Sequence, residues 1–280
     1  MANTDNPIDP RPLSALTPEA LSMLDDLVAQ SGWNQTPRDW RVFLRHGAIY
    51  VVRHAGGHIM ASGAVLPMGD RAAWISMILV ERASRGKGLG RAVFEHSLRA
   101  VQDMGRKPWL DATPEGERLY SQYGFAPLWR LARWTRAAAP DAAPAPPQPA
   151  PDLQALADLD ARALGFSRGQ VLADLAAREG SRVVRQAQAF AIVRAGRVAR
   201  YVGPLLANDE AAAASLLEDI CAGTPEPIFI DVPEARPTLH RKLRELGFAR
   251  QRGFTRMALG EDAPQGLPAF IHAIAGPEYG

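Results

Sequence analysis

The stretch "ERASRGKGLGRAVFEH", Glu81–His96, places three glycines and two cations between Arg85 and Gly90 and then turns into an amphipathic helical pattern. The run 72–80 before it ends in "MILV" and reads as a strand, so the glycines fall at a strand-to-helix turn. A helix N-terminus carries unpaired N–H groups and about half a positive charge, and it receives an anion where side chains do not crowd it. A pyrophosphate fits that description, with Arg85 and Lys87 at the rim and Arg91 in the first helical turn. Two other phosphate motifs do not fit. No Lys-Ser/Thr follows the glycines, and Arg91 stands where the dinucleotide fingerprint wants its third glycine. On the residues alone, the loop reads equally as a solvated glycine-rich turn.

The rest of the chain narrows the context. At 280 residues, 47% apolar and 22% charged, it suits two globular domains of ordinary size. A net charge of +2, with arginines scattered among comparable numbers of acids, gives no clustered footprint for nucleic acid. The single Cys221 excludes an internal disulfide and a multi-cysteine metal site, and its apolar neighbours in "LLEDICAG" make it a packing residue. His54 and His58 flank a Gly-Gly turn without a third ligand, so no metal is expected. The N-terminal stretch lacks a signal-peptide pattern and no long apolar run occurs, so a cytoplasmic protein with no membrane partner is expected.

Residues 137–151, "AAAPDAAPAPPQPAP", read as an Ala/Pro linker between a domain 1–136 and a domain 152–280. The first half reads as a strand near Leu13, two helices, three strands over about 48–80, the helix after the quoted loop, a strand "KPWLDA", a helix from Pro114 and a closing strand from Phe125. A similar order recurs after the linker. The two ends, "LYSQYGFAPLWRLARWTR" and "KLRELGFARQRGFTRMAL", each finish a helix, break it at Gly-Phe and enter an Arg-rich strand. The pattern is that of a diverged internal duplication.

"VERASRGKGLG" resembles motif A of the GNAT superfamily of N-acetyltransferases, Arg/Gln-x-x-Gly-x-Gly/Ala, with Arg85, Gly88 and Gly90 in the pattern. "LDATPEGERLYSQYGF" resembles the family's motif B, with Tyr120 four residues before the Gly-Phe. The resemblance covers residues 12–136, while the second half matches in element order and in its Gly-Phe ending. It implies an α/β (α+β) fold class with tandem GNAT-like folds, each a mixed, mostly antiparallel sheet flanked by helices. It also implies acetyl transfer from acetyl-CoA to a primary amine by direct attack. The pantetheine arm would lie along Ile78, Leu79 and Val80, and the pyrophosphate on Arg85, Gly86, Lys87, Gly88, Leu89, Gly90 and Arg91. Tyr120 would act as general acid toward the leaving thiolate.

Several roles stay open. Thr113 falls where many members carry a cofactor-contacting asparagine, and before Pro114 it also reads as a helix N-cap. Strict alternation over 72–80 puts Trp74, Ser76, Ile78 and Val80 on one face, with Trp74 where some relatives carry a glutamate. Asp111 is then the candidate base, against a structural role in its turn. Trp33, Asn34 and Gln35 read as exposed recognition residues on a loop and, with Trp74 and Ser76, form the substrate-facing set. Thr36-Pro37-Arg38-Asp39 reads as a capping box. In the second half, "GPLLANDEAAA" replaces the glycine loop and Leu243 replaces the tyrosine, so that half is expected to be a scaffold, with Tyr201 or Tyr279 walling the acceptor site. The acceptor would be a small-molecule or peptide amine and the protein a monomer or homodimer. The alternative is a non-catalytic acyl-CoA sensor or scaffold.

Overall fold

The computed structural model describes residues 8–140, 152–186, 188–260 and 266–280. Most of the linker, residues 141–151, lies outside them. The chain packs as two compact units that do not follow the sequence halves. One runs from the described N-terminus through Pro67 and includes Ala73–Pro108; the other combines Met68–Ala72 with Trp109–Gly280.

In the first unit, β1 (Arg11–Pro12) pairs antiparallel with β2 (Ala48–Arg53), β2 with β3 (Ile59–Met68), and β3 neighbours β4 (Ala72–Val80). Local chemistry sets the helix starts. α1 (Pro18–Gln30) has Pro at its first position and Thr17 as N-cap, the hydroxyl accepting from Ala20 N–H at 3.2 Å. α2 (Pro37–His46) begins where the Asp39 carboxylate accepts from the Thr36 N–H at 2.6 Å and hydroxyl at 3.0 Å. α3 (Leu89–Asp103) buries Leu89, Val93, Phe94, Ser97, Leu98 and Val101. It lies so close to β3 that a Cβ at Gly63 would meet Val93 and, at 3.1 Å, the Ser97 hydroxyl.

The second unit is one sheet in the order β5 (Lys107–Ala112), β11 (Ala249–Leu259), β6 (Phe125–Arg136), β10 (Ile228–Pro233), β9 (Arg200–Ala207), β8 (Ala189–Arg194) and β7 (Arg182–Gln186). All neighbours are antiparallel except β9 and β10. A short β12 (Ile271–Ala273) pairs with β9. The helices are α4 (Pro114–Ser121), α5 (Leu153–Leu164), α6 (Gly169–Ala176), α7 (Glu210–Ala222) and α8 (Pro237–Glu245). α7 buries Leu216, Leu217, Ile220 and Cys221, and each such aliphatic side chain contributes about 1.5–3 kcal/mol. Burial pushes the Cys221 thiol up to about 11, as befits a packing residue.

The closing strands of the two sequence halves are exchanged. β6, from the first half, lies between β10 and β11 of the second, and β11 lies between β5 and β6 of the first. Each exchange is fastened by a buried two-point ion pair between directly opposed residues. Arg133 on β6 donates to Asp231 on β10 at 2.8 and 2.6 Å, and Arg256 on β11 donates to Asp111 on β5 at 2.9 and 2.8 Å. Burial opposes the charge on Arg133, but the adjacent Asp231 carboxylate raises its pKa above the ordinary value. Among the described residues, no helix is long and apolar enough to cross a membrane.

Candidate functional site

The strand β4 that leads to the glycine loop carries a left-handed residue before its end. Met77 has φ +54°, the one left-handed residue other than glycine among those described, and its carbonyl accepts from the buried Ser62 hydroxyl at 3.0 Å. A left-handed residue with a side chain costs roughly 1–2 kcal/mol, so this backbone is held by its surroundings. Beyond Met77, Leu79 is buried while Ile78 and Val80 are half-buried.

The turn into α3 is anchored at its start and open at its tip. Glu81 N–H donates to the Met60 carbonyl at 2.8 Å, the Glu81 carboxylate accepts from Ser84 at 2.9 Å and pairs with His58 at 3.0 Å, and Arg82 N–H donates to Gln30 at 2.9 Å. The hydrogen bond from Ser84, then that from His58, holds the Glu81 carboxyl below its ordinary pKa. Arg85 Nε donates to the Val80 carbonyl at 3.3 Å. Arg85, Gly86, Lys87 and Gly88 are exposed. Gly86 and Gly88 have φ +75° and +80°, which a side chain disfavours, and a Cβ at Gly90 would stand 3.2 Å from Val80. Leu89 is buried, so it can offer a ligand only its backbone. The N-cap of α3 is Gly88, with no side-chain cap and no acid in the first turn, and Arg91 is exposed there. A cationic, side-chain-free helix start of this kind fits a diphosphate.

The acceptor-side expectations need correction. Asn34 and Gln35 are 6% and 7% exposed and engaged within the fold, because the loop turns back on α1 through Trp33 N–H to the Val28 carbonyl. Trp33 is half-buried and Trp74 wholly buried. The Ser76 hydroxyl is buried too, and it has no hydrogen-bond partner among the described residues, as is the case for the indole N–H groups of Trp40 and Trp134. A buried polar group left unpaired costs about 1–3 kcal/mol, so each of these atoms is a place for a water or another partner.

In the second unit, Tyr120 ends α4 with its ring 6.2 Å from that of Phe125. Burial raises the pKa of its hydroxyl to about 12, and the residue as a whole is half-buried. Thr113 caps α4 by accepting from Gly116 N–H at 3.2 Å, which is the N-cap alternative. Asp111 is the arginine-clamped carboxylate of the strand exchange. Burial pushes its pKa up while Arg256 pulls it down, and both oxygens are occupied. It is a structural residue rather than a base. Tyr201 and Tyr279 are buried within the second unit, the hydroxyl of Tyr201 donating to Asp231 at 2.8 Å and that of Tyr279 accepting from Arg178 at 2.9 Å. Neither offers a wall to a ligand. No local pattern in the chain pointed to Met77 or Ser62. The Asp–Arg pairs did leave a signal, since "LDA" and "IDV", "ARW" and "TRM" hold matching places in the two halves.

Residues 45–127 match one family model described as an acetyltransferase (GNAT) domain, and residues 156–268 match a second with the same description. The chain therefore belongs to the GNAT acetyltransferases, as a tandem of two such domains, and is an acyltransferase. It is 24% identical to the uncharacterized N-acetyltransferase YitH of Bacillus subtilis over 84% of this chain and 87% of that one. Among solved structures, a candidate acetyltransferase of Pyrococcus horikoshii superposes with a TM-score of 0.78 at 19% identity, covering 97% of this chain and 96% of that one. A tandem GNAT protein from the clavulanic acid biosynthesis pathway superposes with a TM-score of 0.64 at 17% identity, covering 91% and 99%. The fold implies an acyl-CoA as cosubstrate.

Proposed function

We propose that the protein transfers an acetyl group from acetyl-CoA to a primary amine, and that binding is centred on the glycine loop of the first unit. The observation that carries this reading is the start of α3, the uncapped helix whose N-terminus is bare of side chains and ringed by Arg85, Lys87 and Arg91. Ile78, Leu79 and Val80, after the left-handed Met77, would hold the pantetheine arm through backbone groups. A backbone N–H there would polarise the thioester carbonyl, and Ser76 would face the acceptor.

Acetyl-CoA supplies an activated thioester, so a neutral amine can attack it directly and no protein nucleophile is needed. Tyr120, matched to its role by motif B, would donate its proton to the departing sulfur. With its pKa near 12 it holds that proton at all physiological pH values. The proton of the incoming ammonium would pass to water, because Asp111 is committed to Arg256. The acceptor class is a small-molecule or peptide amine, and the state in solution a monomer or homodimer.

Calorimetric titration with acetyl-CoA tests the reading. Micromolar binding by the wild type, lost in an Arg85→Glu, Gly88→Asp variant, is the expected result. A folded wild type that binds no acetyl-CoA refutes it. Tyr120→Phe should bind as the wild type does yet turn over about 100-fold or more slowly with an amine found by screening.

A further inference from the structure

The second half repeats the plan of the first, with β9 leading into α7 as β4 leads into α3. Two features close the corresponding site from within. β9 and β10 are paired, in parallel, only over Arg200–Val202 and Ile228–Ile230, and beyond that point they diverge. β12 fills the divergence. It pairs with Leu205 and Leu206 of β9, and just beyond it Ile274 N–H donates to the Asp231 carbonyl of β10 at 3.1 Å. Ile271, His272, Ala273 and Ile274 are each at most 3% exposed. The fit is close enough that a Cβ at Gly203 would strike the Ile274 carbonyl oxygen. Arg236 holds the segment's entry, donating to the carbonyls of Ile271 at 3.0 Å and Pro268 at 2.6 Å.

The helix start is filled as well. α7 is capped by Asp209, whose carboxylate accepts from Ala212 N–H at 2.8 Å. Glu210 in its first turn reaches across to accept from Leu239 N–H, near the start of α8, at 2.9 Å. Carboxylates thus occupy the place that α3 leaves open for an anion.

We propose that the second half is a self-liganded acyl-CoA fold: β12 stands where an extended pantetheine arm would add to β9, and Asp209 with Glu210 stands in for the pyrophosphate. The inference rests on the reading that the first half takes acyl-CoA. The chain then holds one acyl-CoA, and the second half contributes no transfer site, although it matches a GNAT domain.

The test combines two measurements on the full-length protein. Equilibrium dialysis with acetyl-CoA gives the stoichiometry for the wild type and for Gly88→Asp. Hydrogen–deuterium exchange follows the amides of residues 271–275 with and without saturating acetyl-CoA. The expected result is one equivalent, lost in Gly88→Asp, with slow exchange at 271–275 unaffected by the ligand. Two equivalents, one equivalent that survives in Gly88→Asp, or exchange at 271–275 that speeds up on adding acetyl-CoA would each overturn the proposal. If the wild type binds none, the reading of the first half fails, while slow exchange at 271–275 still upholds the filled cleft and fast exchange removes it.

Discussion

Asp111 and Asp231 lie on matching strands of the two halves, and each faces an arginine from the other half's closing strand. Removing one partner of a buried ion pair leaves an uncompensated charge and costs about 3–5 kcal/mol, whereas replacing both with apolar residues is often near neutral. Asp111→Asn should therefore lower the thermal unfolding midpoint markedly, and Asp111→Leu combined with Arg256→Met should recover most of the loss. Scanning calorimetry reads both. Acyl transfer should follow folded fraction in each variant. A stable but inactive double variant would return Asp111 to the chemistry. The pairing was legible only in part, because the repeat marks the four residues but not which of them meet.

At the scale of the element, α4 shows how a helix can be spent on one side chain. Gly116, in the first turn of α4, costs up to about 1 kcal/mol against alanine, yet a Cβ there would lie 2.9 Å from Cε2 of Tyr120. Gly116→Ala should leave the protein folded, with its unfolding midpoint changed by a few degrees at most, while kcat falls at least several-fold because the tyrosine ring must move. Equal losses in stability and kcat would remove the positioning role. The caps of α1, α2 and α4 could be read from the chain, since Thr17, Thr36 with Asp39, and Thr113 act within four residues of themselves. The left-handed residue in β4 could not. Nothing local in "WISMILV" marks Met77 as left-handed, and the Ser62 hydroxyl that holds its carbonyl is 15 residues away.

For the molecule as a whole, the exchange of β6 and β11 makes the halves interdependent. A fragment ending at Arg136 keeps β5 and β6 but loses β11, the strand between them, and β10 beyond. Exposed strand edges of that kind aggregate. Residues 1–136 expressed alone should be insoluble or unfolded by circular dichroism, and a soluble, cooperative fragment would contradict the exchange. Acid should act through the same unit. His272 is buried in β12, and burial, followed by the charge of Arg236, lowers its pKa from 6.5 to about 4. Since the unfolded chain binds this proton more readily, the contribution to stability is full above about pH 6.5 and is lost as the pH falls toward 4, on the order of 3 kcal/mol. His272→Gln should flatten the dependence of unfolding free energy on pH between 4 and 6.5, measured by urea titration. An unchanged slope would place the titrating group elsewhere.

By itself the sequence determined the order of helices and strands, the helix caps, the duplicated plan and the glycine loop with its family. All of these depend on neighbours a few residues apart or on a motif of short span. Only the tertiary structure decided that the closing strands change places, that Asp111 belongs to Arg256, that Asn34 and Gln35 turn inward, and that β12 fills the second cleft. Those outcomes depend on strand pairings and burial between segments as much as 145 residues apart. An Arg-rich strand pairs as well with one half's edge as with the other's, so the choice is made by the packing of the whole sheet rather than by any local pattern.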